Sequence, residues 1–184
     1  MAKIIIVGDG PGGLSAALFL AKNGQEVTVY GQDQTAMNYA QLFNYLGLPE
    51  ISGTEFQRIA KGQVTAQGGT IVDAEVTAVA ASEGGYEVTL ADGSTDAAKY
   101  LVMNEGRNPQ LVTSLGVAVD DDGAIDVDRH GLSSDDNVYV VGRSVRPTRS
   151  QAIITAGDGA AAALDILSRE EGKDVQDWDS PPKE

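Results

Sequence analysis

The stretch KIIIVGDGPGGLSAA, residues 3–17, decides the fold. Ile4, Ile5, Ile6 and Val7 form a continuous β-branched run, the pattern of a central strand buried on both faces. Gly8, Gly10 and Gly13 then give G-x-G-x-x-G, with Pro11 and Gly12 inside it, and a helix with an Ala-rich face is expected over residues 12–23. The glycines have separate tasks: Gly8 permits a tight turn, Gly10 lets a pyrophosphate approach the backbone, and Gly13 lets helix and strand pack closely. The helix N-terminus offers unpaired N–H groups and a partial positive charge to an anion. A second strand, EVTVY at residues 26–30, follows at once. This strand–turn–helix–strand context points to a dinucleotide site rather than to a plain glycine-rich turn.

Composition sets the bounds. A chain of 184 residues fits one domain with a sizeable core, expected over residues 1–170, followed by an acidic tail over 171–184. No apolar run reaches membrane-spanning length and no signal-peptide pattern opens the chain, so a cytoplasmic protein is expected. The absence of cysteine excludes disulfides, thiolate metal sites and any dithiol redox pair within the chain. A net charge of −14 repels nucleic acid and anionic membranes, and neither is expected as a partner. That charge fits either an ordinary acidic protein or adaptation to high salt. The six lysines and the Asp-dense loops at 120–122 and 135–136 favour adaptation to salt.

In dinucleotide folds an acidic residue near the end of the second strand receives the adenosine ribose hydroxyls. Here that end reads Tyr30-Gly31-Gln32-Asp33: Gly31 stands where the acid is commonest, and Asp33 is the nearest carboxylate. Asp33 is therefore either the ribose ligand or a solvated loop residue. Residues 34–49 lack periodicity, and a loop of that length is more often functional than idle. Ser52 with Glu55 reads as a capping box opening a helix over 53–67, with Phe56, Ile59, Ala60 and Val64 as its core face. A short strand is expected at 70–72. Glu83-Gly84-Gly85 joins two further strands, 75–81 and 86–90, into a hairpin, and residues 99–102 return to the main sheet. Residues 117–119 and 124–127 read as a second hairpin, and 137–141 (NVYVV) as a strong strand. An arginine-rich loop and a long Ala-rich helix over 151–169 close the pattern. The tail is read as mobile, with Trp178 as a local anchor. His130, the only histidine, reads as a surface turn residue; no catalytic triad or metal cluster surrounds it.

Four segments together resemble the FAD-binding domain of low-molecular-weight thioredoxin reductases. Gly8-Asp9-Gly10-Pro11-Gly12-Gly13 with Ser15-Ala16-Ala17 is similar to GxGPAGxxAA. Asn44-Tyr45-Leu46-Gly47-Leu48-Pro49 through Gly53 is similar to ENFPGFPxxIxG. Gly123-Ala124-Ile125-Asp126-Val127 and the stretch ending in Val141-Gly142 resemble G-x-I-x-V-D and T-S-x-x-G-V-F-A-A-G-D. Gln151-Ala152-Ile153 with Gly157 and Gly159 parallels Q-A-I-T-A-A-G-x-G. The resemblance implies an α/β, Rossmann-like three-layer FAD/NAD(P)-binding domain, with a central parallel sheet and an antiparallel β-meander. It also shows what is missing. The family inserts an NADPH-binding domain, with a second glycine motif and a Cys-x-x-Cys pair, between the two halves. Here Asn104-Glu105-Gly106 leads straight into Arg107-Asn108-Pro109.

The resemblance implies FAD as cofactor, with Gly8, Gly10, Pro11, Gly12 and Gly13 at its pyrophosphate and Gly142 close to the ribityl chain. Asn44 matches a position that contacts the flavin; otherwise it is a turn residue. Gln151 and Ala152 match a helix start whose N–H groups face the pyrimidine edge of the ring. Arg143 stands where the family has Asp; a guanidinium is a donor only and cannot copy the acceptor role. With Arg146 and Arg149 it makes a local cluster, either an anion site or a set of surface ion pairs. No residue is assigned as acid, base, nucleophile or metal ligand. The expected function is electron transfer through FAD from an external donor, NAD(P)H or a protein, to a small-molecule or protein acceptor, without dithiol chemistry. The alternative is a non-catalytic FAD- or nucleotide-binding sensor or complex subunit. A homodimer is expected by the same analogy.

Overall fold

In the computed structural model, which describes residues 1–181, the apolar run of residues 3–7 is the middle strand of a parallel sheet. Chain order runs β1 (Lys3–Val7), α1 (Pro11–Lys22), β2 (Glu26–Gly31), the short strands β3 (Gln41–Leu42) and β4 (Ile51–Ser52), then α2 (Gly53–Ala66) and β5 (Thr70–Asp73). It continues through β6 (Val76–Ser82), β7 (Gly85–Leu90), β8 (Thr95–Ala98), β9 (Tyr100–Met103), α3 (Gln110–Ser114), β10 (Val138–Val140) and α4 (Ala152–Glu171). The five-stranded sheet has the order β10-β9-β1-β2-β5, and every pair in it is parallel. The chain leaves β1 towards β2 on one side and reaches β9 on the other. The crevice at the C-terminal ends of these strands is the switch point where such sheets bind ligands.

Alternation along β1 builds three layers. Ile4 and Ile6 point into a core shared with Leu14, Leu20, Val64, Ala162 and Ile166 from the helices. Ile5 and Val7 point to the other face, onto Val79, Tyr86 and Val88 of the antiparallel β6-β7-β8 meander. Both faces are apolar, so a buried parallel sheet needs the unbroken Ile-Ile-Ile-Val run rather than alternation. The three-layer fold is as expected. The meander has a third strand that the sequence did not mark: Thr95-Asp96-Ala97-Ala98 is too polar to read as one, yet it pairs with β7 over residues 86–89. Asp96 earns its place by bridging layers, accepting from the Tyr30 hydroxyl at 2.9 Å and pairing with Lys3.

Several local expectations are corrected. Ser52 caps α2 by accepting from the Glu55 N–H at 3.2 Å, but the Glu55 carboxylate turns to Arg58 instead of closing the box. Val64 is buried, whereas Phe56 and Ile59 line an open groove between α1 and α2. The hairpin read at 117–127 shrinks to one bridge, Val119 with Ile125, around a turn in which the Asp120 carboxylate accepts from the N–H groups of Asp122 and Ala124. Residues 175–179 fold back beside α1 rather than running free. Val175 packs against the core, and Lys22 pairs with Asp177 and Asp179. Trp178 is 86% exposed and anchors nothing; residues 182–184 of the expected tail lie outside the described residues.

Candidate functional site

The glycine turn opens a cleft of about 440 Å³ across the C-terminal ends of β1, β2 and β9. Its glycines are set by close contact. Gly8 has φ +100°, and a Cβ there would sit 2.3 Å from the Asn104 carbonyl oxygen. A Cβ at Gly13 would sit 2.1 Å from the Gly8 carbonyl oxygen, so only glycine lets α1 start directly over β1. Gly10 is the N-cap of α1 and Pro11 its first residue, and no side chain caps the helix from its own N-terminus. Asn104, immediately after β9, takes that place from outside. With its amide oriented to suit its neighbours, the oxygen accepts from Gly13 N–H at 3.2 Å and Gly10 N–H at 3.3 Å. The sequence reading missed Asn104. The available signal was a polar residue ending a buried strand that lies beside β1.

At the end of the cleft beside β2, Gly31 leaves the strand's wall bare. Asp9 fills the space: a Cβ at Gly31 would meet the Asp9 carboxyl carbon at 2.5 Å. The Asp9 side chain is almost fully buried, and Oδ2 accepts from Asp33 N–H at 3.1 Å and pairs with Lys61 at 2.8 Å. Gln57 Nε2 donates to the Asp9 carbonyl oxygen at 2.7 Å and pins the loop to α2. Asp33, held at φ +56°, turns its carboxylate to Lys61 at 2.7 Å and does not line the cleft. Burial pulls the Lys61 ammonium down, but the hydrogen bonds and charges of Asp33 and Asp9 outweigh it, and its pKa is raised.

At the opposite end, Gly142 (φ +75°) begins a single 3-10 turn, and Arg143 reaches the cleft wall. Arg143 Nε is buried with no hydrogen-bond partner, a donor waiting for an acceptor. Arg146 has its partner already, Asp158, at 3.1–3.2 Å, so the arginine cluster divides into one cleft residue, Arg143, one surface ion pair, Arg146, and an exposed Arg149. Glu105 lines the same cleft and caps α3, accepting from Leu111 and Val112 N–H at 2.8 and 2.9 Å; burial raises its pKa despite those bonds. The α4 helix starts uncapped, with Ala152 on the cleft wall and Gln151 as its N-cap. Asn44 Nδ2 donates to Gln151 Oε1 at 3.2 Å, which joins the 41–52 segment to the start of α4.

The structure thus brings Gly8, Gly10, Pro11, Arg143 and Ala152 to one cleft. Gly12, Gly13 and Gly142 are buried beneath it, and Asn44 and Gln151 meet each other at its exposed edge. Among the described residues no group of histidine and carboxylate side chains is arranged to hold a metal.

The family model for pyridine nucleotide-disulphide oxidoreductases matches residues 2–51 and 46–160. No curated protein sequence matches the chain. Among solved structures, a thioredoxin reductase from Gloeobacter violaceus superposes with a TM-score of 0.86 at 17% identity, covering 98% of this chain and 99% of that one. A T. acidophilum thioredoxin reductase gives 0.81 at 17% identity over 92% and 99%. A ferredoxin-flavin thioredoxin reductase from Clostridium acetobutylicum gives 0.79 at 18% identity over 94% and 99%. With these similarities in fold and a family match along most of its length, the chain belongs to the pyridine nucleotide-disulphide oxidoreductase family.

Proposed function

We propose that the cleft binds FAD and that the protein passes electrons through it, from NAD(P)H or a protein donor to a small-molecule or protein acceptor. The single observation behind this reading is the orphaned Arg143 Nε, buried in the same cleft as the glycine turn. Such a donor fits a ligand carrying phosphate or hydroxyl acceptors between the two ends of the cleft. When bound, the flavin supplies the redox chemistry, and the protein supplies binding, orientation and electrostatics. The residues of the 8–13 turn would cradle the pyrophosphate. Arg143 would donate to the chain between phosphate and ring, and the uncapped N-terminus of α4 would face the ring and favour negative charge there. With no cysteine in the chain, the acceptor must meet the flavin directly.

A homodimer accords with the exposed apolar side chains of Phe43, Leu46, Ile153 and Ile154, which flank the Asn44–Gln151 contact. A light-scattering mass of two chains is expected, and a single chain at all salt concentrations would contradict it. No helix among the described residues is long and apolar enough to cross a membrane; a cytoplasmic location is part of the proposal. The second reading, a non-catalytic flavin sensor or subunit, is favoured by Arg143 itself, since a donor replaces the family's acceptor. The FAD-loaded protein is mixed anaerobically with NADH, then NADPH, then chemically reduced ferredoxin. Bleaching of the flavin by one of them, followed by reoxidation with an added acceptor, is the expected result. Loaded protein inert to all three would favour the sensor.

A further inference from the structure

We propose that Asp9, inside the glycine turn, is the ribose-recognition carboxylate of this chain, moved there from its usual place at the end of the second strand. The proposal rests on the dinucleotide-binding reading above and concerns its adenosine half. Three observations carry it. First, the usual position is unavailable: residue 31 is glycine, and any Cβ there would collide with Asp9, 2.5 Å from its carboxyl carbon and 2.7 Å from Oδ1. The Asp9 carboxylate thus stands where the side chain of a strand-end acid would begin. Second, its two oxygens are used unequally. Oδ2 takes both protein contacts, Asp33 N–H and Lys61 Nζ. Oδ1 has no hydrogen-bond partner among the described residues, although the residue is only 5% exposed and lines the cleft. A carboxylate oxygen with no protein partner, on a residue that lines a cleft, is an acceptor suited to a hydroxyl. Third, the group is braced. Lys61 neutralises it from α2, Asp33 holds Lys61 from the far side, and Gln57 fixes the Asp9 backbone. The sequence candidate Asp33 is a positioning residue in this arrangement, acting through Lys61.

The consequence is a preference for adenosine with a free 2′-hydroxyl. A carboxylate oxygen accepts from that hydroxyl and repels a phosphate in its place. Two residues trade roles, so the test is a swap. ADP and 2′-deoxy-ADP are titrated calorimetrically into the full chain, which reads the adenosine half without the flavin, and FAD is titrated in parallel. Wild type is expected to prefer ADP to 2′-deoxy-ADP by about tenfold, the scale of one charge-assisted hydrogen bond. Asp9→Ala is expected to erase that preference. Gly31→Glu alone should lose the preference, because its side chain collides with the Asp9 carboxylate. The double variant Asp9→Gly, Gly31→Glu should regain the preference to within about threefold. Thermal denaturation of each variant separates loss of binding from loss of fold, and the double variant keeps the test decisive if Asp9→Ala alone fails to fold. Retention of the preference in folded Asp9→Ala would overturn the assignment. FAD binding with no Asp9 effect sinks this proposal and leaves the flavin reading standing. ADP discrimination that depends on Asp9, without FAD uptake, does the reverse. No binding of either ligand overturns both.

Discussion

At the scale of single residues, the cleft is built from positions where a methyl group is too large and from polar atoms with one partner missing. Gly13→Ala places a Cβ 2.1 Å from the Gly8 carbonyl oxygen, and neither backbone can yield without lifting α1 from β1. We expect a loss of about 1–3 kcal/mol in unfolding free energy, measured by urea denaturation, together with loss of ligand binding. Arg143→Met keeps the aliphatic stem and removes the orphaned donor. It should raise the melting temperature slightly or leave it unchanged, because a buried unsatisfied group is deleted, while weakening FAD about tenfold. A lower melting temperature with unchanged FAD affinity would instead mean that Arg143 serves the fold. Asp96 supplies a pH test. Burial alone would raise its pKa, but Lys3 and the Tyr30 hydroxyl outweigh that and hold it below the ordinary 3.8. A carboxylate with a depressed folded pKa contributes stability that is full above the unfolded value and is lost as pH falls through the folded one. Stability measured from pH 5 downward should therefore fall more steeply in wild type than in Asp96→Asn below about pH 4. Equal slopes would exclude this link between the meander and the sheet.

At the scale of elements, the two long helices carry a paired control. A Cβ at Gly159 would sit 2.0 Å from the Gly12 carbonyl oxygen, so α4 touches the start of α1 backbone to backbone. Gly157, two residues earlier in the same helix, has nothing within 4 Å. Gly159→Ala should cost about 1–3 kcal/mol by forcing the helices apart. Gly157→Ala should be neutral or stabilise by up to about 1 kcal/mol through helix propensity alone. Comparable effects from the two would show that the close crossing is not what fixes the glycine. The same contrast explains what the sequence disclosed. Elements whose signal is local were legible: the Ile-rich strand, the Gly-Pro-Gly-Gly helix start, the Ser52 cap and the NVYVV strand all fall where they were read. Elements whose reason is tertiary were not. The polar β8 exists because Asp96 reaches Lys3 and Tyr30, and the α2 face at Phe56 and Ile59 stays open because the neighbouring 45–51 segment forms a groove with it rather than a lid over it. The cleft divides likewise. The glycine turn and Arg143 could be read along the chain. Asn104, and the exchange of Gly31 for Asp9, depend on strands brought side by side only by folding.

At the scale of the whole molecule, 27 acidic residues against 13 basic ones load one small fold with repulsion. Ion pairs such as Lys99–Glu170 and Lys22–Asp177 bring the C-terminal segments back onto the body, but they are too few to neutralise it. Salt screens exposed like charges over about 10 Å at 0.1 M and about 3 Å at 1 M. The melting temperature should therefore rise steadily from low salt to about 1 M sodium chloride. A flat or falling profile would show that the acidic surface is ordinary and carries no adaptation to salt. Compared with the thioredoxin-reductase pattern, the two halves of the fold join directly through Asn104, Glu105 and Gly106, with one glycine turn and no cysteine. The central claim of the proposal is that FAD binds in the cleft between the glycine turn and α4. Purified apoprotein is incubated with FAD, freed of excess ligand by gel filtration, and its absorption spectrum recorded. The account predicts flavin bands co-eluting with protein at one FAD per chain, and little retention of FMN, which lacks the adenosine half. Folded protein that emerges colourless after exposure to saturating FAD would contradict it.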